Sequence, residues 1–336
     1  MEELISIVER NGLPESFHYG SIAVVNAEGQ ILYQVGNPLE TVFVRSAIKP
    51  VQTIPLITSG ASERFLFSER EIAVSCGSHN AEKVHVDTVQ SMLFRIGLDE
   101  SHLRCGPHPP YDPEAYESLL LAGQKPTAIH NNCSGKHAAM LALALHLQSD
   151  IVTYDRLHHP VQQKVVEIIA DLADIEERDL KTGVDGCGIP TFYMPLYKLA
   201  FMFAKLSNSS SIEDEHTKHA VDIITKAMTK FPEMVGGKDV LCTDVMQAMN
   251  GKVIAKAGAE GMYTMGIMNE GIGVAVKVVD GNARAAWPAA VEVLKQLNLL
   301  SDAEQNRLSN YLSPSLKNRR GDIVGKIEST FKLKKV

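Results

Sequence analysis

Residues 135–147 read GKHAAMLALALHL, a stretch of helical length that is apolar nearly all round. A helix without a polar face has to be covered from every side, so this chain must build a core deep enough to enclose one. The stretch is shorter than the roughly 18 apolar residues that span a bilayer, and no other run reaches that length. With 336 residues, 45% apolar and 22% charged, the chain has length for about two domains or one large domain with an insertion. Its usage is that of a globular protein, which excludes disorder, collagen and coiled coil.

The formal charge of −7 excludes the basic footprint of non-specific nucleic-acid binding. The opening MEELISIVERNG has neither the basic start nor the apolar centre of a signal peptide. The five cysteines (Cys76, Cys105, Cys133, Cys187, Cys242) are odd in number and far apart, unlike a secreted disulfide framework. The expectation is a cytoplasmic protein with no membrane partner, in which paired cysteines serve a metal better than a bridge.

Apolar periodicity gives the organisation. Residues 21–36 hold two apolar runs around Ala27-Glu28-Gly29, a hairpin signal. Helical spacing predicts helices over 48–57, 80–96 (ending at Gly97), 135–147, 161–172, 195–206 and 221–229. Then the texture changes. Runs at 252–257, 262–268 and 272–279, split by Gly-Ala-Glu-Gly and Asn-Glu-Gly, read as a three-stranded antiparallel meander. A closing helix over 285–299 and a last strand over 322–331 follow. Strands at both ends and helices between them predict an α+β fold. One antiparallel sheet is drawn from the N- and C-terminal strands (residues 15–60 and 245–331), with a mostly helical region (61–244) inserted.

Three short motifs suggest one site. In Ser46-Ala-Ile-Lys49 the serine and lysine share a face in α or 3₁₀ geometry. Pro50 cannot donate to the Ser46 carbonyl, so Ser46 stands at the helix mouth, where developing negative charge is favoured. Ser78-His79-Asn80 follows an apolar stretch, and Lys256-Ala-Gly-Ala259 falls on the first meander strand. Singly, each is also what an N-cap serine, a helix N-cap or an ordinary strand lysine looks like. Together S-x-x-K, S-x-N and K-x-G follow the chain order of penicillin-recognising serine enzymes. The interval from Ser46 to Ser78 is shorter than expected there, so a plain β-lactamase fits poorly. A lysine titrates near 10.4 and a useful base near 7 to 8, a difference of about 4 kcal/mol. Desolvation and a second ammonium both push in that direction, so if Lys49 and Lys256 both close on Ser46, one is neutral and takes the serine proton while the other stays charged and holds Ser78 or the substrate. The Ser46 and Ala259 N–H groups are candidate oxyanion donors.

Cys133, in NNCSGKH, and Cys187, in GVDGCGIP, each sit among polar residues and glycines. Two loop thiols with His137 or Asp185 would suit Zn²⁺, although the spacing is no zinc ribbon.

The blocks Val44-Arg-Ser-Ala-Ile-Lys-Pro50, Cys76-Gly-Ser-His-Asn-Ala-Glu82, Asn132-Cys-Ser-Gly-Lys-His137, Gly183-Val-Asp-Gly-Cys187, Lys256-Ala-Gly-Ala-Glu-Gly261 and Asn318-Arg-Arg-Gly-Asp-Ile-Val-Gly325 resemble, in order, the asparaginase II family. The resemblance runs from about residue 15 to 325 and implies a serine β-lactamase-like or glutaminase-like fold. It implies hydrolysis of L-asparagine by two Ser–Lys pairs, Ser46 with Lys49 and Ser78 with Lys256. It also implies zinc held by Cys133, Lys136 and Cys187, a pocket lined by Arg45, Asn80, His137 and Asp185, and a homodimer. A metal-bound lysine must be neutral, which makes that ligand set unusual. The competing expectations are a serine glutaminase, a β-lactam-acylating relative, and a non-catalytic zinc-thiolate sensor.

Overall fold

The computed structural model describes residues 1–336. The amino end forms β1 (Glu3–Arg10), β2 (Leu13–Asn26), β3 (Ile31–Val35) and a short β4 (Thr41–Phe43). In mid-chain β5 (Lys181–Val184) and β6 (Pro190–Pro195) make an antiparallel hairpin. The carboxyl end supplies β7 (Val253–Gly258), β8 (Met262–Ile267), β9 (Ile272–Val278), β10 (Ser315–Lys317), β11 (Ile323–Ser329) and β12 (Lys334–Lys335).

Two compact units result. The first comprises residues 1–47, 194–211 and 244–336. Its main sheet runs β10-β11-β1-β2-β9-β8-β7, with β3 between β2 and β12, and every pairing is antiparallel. The α+β sheet expected from both chain ends is therefore present. The meander is β7, β8 and β9, and the 21–36 hairpin is the far half of β2 with β3. Helix Leu196–Ser207 lies against this sheet. The contact depends on two glycines paired across strands, Gly266 and Gly273. A Cβ on Gly273 would come 1.8 Å from the Ala200 carbonyl oxygen, and one on Gly266 would come 2.7 Å from that of Phe203. Helix Ala283–Gln296 also packs in this unit, against β1, β8, β9 and β11.

The second unit comprises residues 48–193 and 212–243. Its centre is helix Ser134–His146, buried from Ser134 to Ala144, as its all-round apolar sequence requires. Helices Lys49–Thr58, Glu69–Ser75, Lys83–Arg95 and Pro160–Ala173 surround it. Helix Glu69–Ser75 starts on a capping box, Ser68 with Glu71, and releases the chain at Cys76 toward Ser78. Gly135 allows the close approach of the central helix, since a Cβ there would meet the Val74 carbonyl oxygen at 2.5 Å. Residues 194–211, read from sequence with the helical part, belong to the first unit. No helix is long and apolar enough to cross a membrane.

Candidate active site

Lys49 opens helix Lys49–Thr58 and is fully buried. Its Nζ lies 2.5 Å from the Gly77 carbonyl oxygen, 3.2 Å from that of Asn132 and 2.9 Å from Ser78 Oγ. Two carbonyls can only accept, so they take two N–H bonds. The third direction faces a hydroxyl, which can either accept or donate. Burial holds the Lys49 amine below its ordinary range. The Lys136 charge adds to that shift, while Cys133 opposes it. The structure thus brings Lys49 to Ser78, whereas sequence spacing pairs it with Ser46.

Ser46 lies in a 3₁₀ turn, Arg45–Ile48, directly ahead of that helix. Arg45 has φ +49°, a left-handed conformation that costs a side-chain-bearing residue about 1 kcal/mol or more. Backbone strain beside a candidate nucleophile is a feature that spacing could not reveal. Lys256, fully buried on β7, donates from Nζ to the Ala257 carbonyl at 2.7 Å. Ala259 is exposed in the turn after β7. Asn80 is buried, and its side chain spans 3.5 Å to the Lys238 carbonyl and 3.4 Å to the Glu82 N–H.

A second buried cluster contains sulfur. Cys133 precedes helix Ser134–His146 and is held by Asn131, whose Oδ1 accepts from the Cys133 N–H at 2.9 Å. Asn131 Nδ2 in turn reaches the carbonyls of Cys105 and Gly106. Cys187 sits in the β5–β6 turn, where Asp185 accepts from the Gly186 N–H at 2.9 Å. Cys133 is hydrogen-bonded to Cys187, and Lys136 Nζ stands 3.3 Å from Cys187 Sγ. The Cys133 hydrogen bond, followed by the Lys136 charge, brings the Cys187 thiol down to about 5. Cys133 rises to about 12 for the reciprocal reason, with burial adding to the effect. Lys136 is desolvated too, yet the charges of Cys187, Cys133 and Asp185 outweigh burial and raise its affinity for its proton.

Two thiols and an amine stand close together here, of which the thiols are ordinary zinc donors and the protonated amine is not. No three His, Cys, Asp or Glu side chains gather to hold a metal. A site here therefore has to count Lys136.

His137 adds an unsatisfied ring nitrogen. Its Nδ1 is 2.7 Å from Tyr154 Oη, which itself accepts from the Arg104 N–H at 2.9 Å. The tyrosine proton is then free to point at Nδ1, and the tautomer that accepts it carries its proton on Nε2. That buried atom has no partner. Burial, then the Lys136 charge, lowers His137 to about 3, so the ring is neutral. Sequence reading missed Tyr154, and it gave no role to His79 of the Ser78-His79-Asn80 motif, whose Nε2 pairs with Ser134 Oγ at 2.8 Å. No local signal marks either one, because both partnerships are made by packing.

Residues 7–329 match the family model described as L-asparaginase II. The chain belongs to the L-asparaginase II family. No curated protein sequence matches this family member. Among solved structures it is similar to "Mglu in its native form in the presence of 4.3M NaCl", at 16% identity and TM-score 0.45, covering 84% of this chain and 61% of that one. The chain thus spans less than two thirds of that protein's length. It is also similar to a β-lactamase from Mycobacterium bovis (13% identity, TM-score 0.39, 87% and 94% covered). A class C β-lactamase from Rhodobacter sphaeroides matches at 12% identity and TM-score 0.43, with 84% and 95% covered.

Proposed function

We propose that the chain hydrolyses the side-chain amide of L-asparagine to L-aspartate and ammonia through a serine ester, with a buried lysine amine as base. The observation that carries the reading is Lys49, enclosed with two carbonyls and the Ser78 hydroxyl at 2.5 to 3.2 Å. A neutral amine has two N–H groups and one lone pair. Here the two carbonyls would occupy the N–H groups, and the lone pair would face a serine proton. That is how a hydroxyl is activated without histidine.

In the assignment that the i,i+3 spacing gives, Ser46 attacks the amide carbon as Lys49 takes up its proton, and the oxyanion is met by the N–H groups of Ser46 and Ala259. Ammonia leaves with a proton returned through Ser78 and Lys256, and water cleaves the aspartyl ester. The 2.9 Å contact between Lys49 and Ser78 favours a second assignment in which Ser78 attacks. Arg45 and Asp185 would pair with the α-carboxylate and α-ammonium of the substrate. Asn80 and the unsatisfied Nε2–H of His137 would bind its polar oxygens.

Cys133, Lys136 and Cys187 would hold Zn²⁺. When bound, zinc would supply a fixed positive charge for substrate positioning. Lys136 and Cys133 would have to give up their protons to bind it, so affinity would rise with pH. The working form would be a cytoplasmic homodimer.

Ammonia release from L-asparagine and L-glutamine, with and without chelator, tests the reaction. Mass spectrometry of acid-quenched Ser46→Ala and Ser78→Ala variants identifies the ester-bearing serine. Release from glutamine alone would make the chain a glutaminase. Labelling by a fluorescent penicillin would make it a β-lactam-acylating protein. Zinc binding without turnover or ester would make it a sensor.

A further inference from the structure

The first unit carries an arginine that the reaction above does not use. His18 is buried, with Nδ1 2.7 Å from Asp280 Oδ2 and Nε2 3.1 Å from Arg284 Nε. A guanidinium can only donate, so His18 Nε2 must accept and the ring proton sits on Nδ1, donated to Asp280. The imidazole links carboxylate to guanidinium and fixes the guanidinium plane. Both terminal nitrogens of Arg284 remain without a protein partner.

Arg284 borders two depressions. One, of about 430 Å³, is also lined by Lys317 and Arg319. Neither of those cations makes an ion pair, whereas Arg10 in the same wall is already bound to Glu15. The other, of about 360 Å³, is lined by Arg284, Trp287, Pro288, Tyr311, Pro314 and Ile327. There Trp287 stands edge-on to Tyr311, with centroids 5.9 Å apart. Each volume is in the range of small-molecule sites.

Lys317 and Arg319, without an ion-pair partner, stand with Arg284, whose charge is felt by Asp280 and Glu15 but whose terminal nitrogens are unbonded, in a chain of net charge −7. Arg284 is also in the first turn of helix Ala283–Gln296, which has no acidic residue in that turn. A cation there opposes the helix dipole.

We propose that the paired depressions are a binding site for a small organic anion. Its carboxylate or phosphate would lie on the preorganised Arg284 fork with Lys317 and Arg319, and its aromatic or apolar body against Trp287. Guanidinium planarity suits either head group. This site is independent of the asparagine reading.

Trp287 is the only tryptophan, so its emission reports on the site alone. The full chain is titrated with adenosine monophosphate, phenylbutyrate, inorganic phosphate and benzyl alcohol. At least one of the first two should change the emission saturably, about tenfold more tightly than phosphate or benzyl alcohol. A response to one only identifies the head group. Arg284→Ala, an exposed position, should weaken that binding about tenfold or more, with Arg284→Lys intermediate. Ammonia release from asparagine should be unchanged. No saturable response at millimolar ligand overturns the proposal. So does equal binding of phosphate or benzyl alcohol alone, or an affinity that Arg284→Ala leaves intact.

Discussion

Lys49 and Lys136 are both buried lysines of the second unit, and their surroundings push them in opposite directions. Lys49 meets two carbonyl oxygens and a hydroxyl, and burial with the Lys136 charge outweighs the opposing pull of Cys133 and Cys187, so its ammonium is destabilised. Lys136 meets a thiolate at 3.3 Å and feels Asp185, and its ammonium is stabilised. Equal burial exacts a similar desolvation cost from both, so the charge of the neighbours decides the outcome. One amine is held below its ordinary range, as the proposed base requires. The other acts as the counter-ion of a thiolate until something competes for its lone pair.

The comparison breaks most sharply by deleting each amine. Lys49→Met should lower kcat for asparagine about 10³-fold or more, the scale of a lost general base, with ammonia release as the assay and circular dichroism confirming the fold. Lys136→Met should leave the serine chemistry in place and weaken zinc about tenfold to a hundredfold, read by competition with a chromophoric chelator. Equal losses of kcat in the two variants would erase the distinction.

The pH dependence sharpens it. If neutral Lys49 is the base, kcat/KM rises with pH through a midpoint below the ordinary lysine value of 10.5, because activity needs the deprotonated form. Lys136→Met removes a like charge, so that midpoint should move upward. In metal-free protein the ultraviolet absorbance of one thiolate should appear near pH 5, and in Lys136→Met it should appear at higher pH. The Lys49 linkage has a definite sign. Its folded pKa is depressed, so the unfolded chain binds more protons between the two pKa values, and stability falls as pH drops across that window.

Packing that holds both lysines gives smaller effects. Gly135→Ala would place a Cβ 2.5 Å from the Val74 carbonyl oxygen and should cost about 1–3 kcal/mol in thermal or urea unfolding. Ser68→Ala removes the capping box of helix Glu69–Ser75 and should cost about 1 kcal/mol.

Much of the frame was legible because periodicity and turn residues are local. The all-round apolar run at 135–147 could only be a covered helix, and Gly-Ala-Glu-Gly and Asn-Glu-Gly mark the meander turns. Strand β1 carries no such local signal. Ser6, fully buried in it, interrupts the apolar alternation and bonds a distant carbonyl, that of Glu328. At the site, residue types and motif order pointed to lysine and serine, but i,i+3 spacing could speak only for Ser46 with Lys49. The Ser78 contact depends on how helix Lys49–Thr58 packs beside the end of helix Glu69–Ser75. The His137–Tyr154 bond and the strained φ of Arg45 are likewise products of tertiary structure.

The central claim is the protonation state of Lys49, and ¹⁵N NMR of the lysine side-chain nitrogens, titrated with pH in metal-free protein, measures it directly. Lys49, assigned by its absence in Lys49→Met, is predicted to titrate below 10.5 and Lys136 above it. A Lys49 resonance that stays protonated up to or beyond the ordinary lysine range would contradict the account, because the buried amine could not then take a serine's proton.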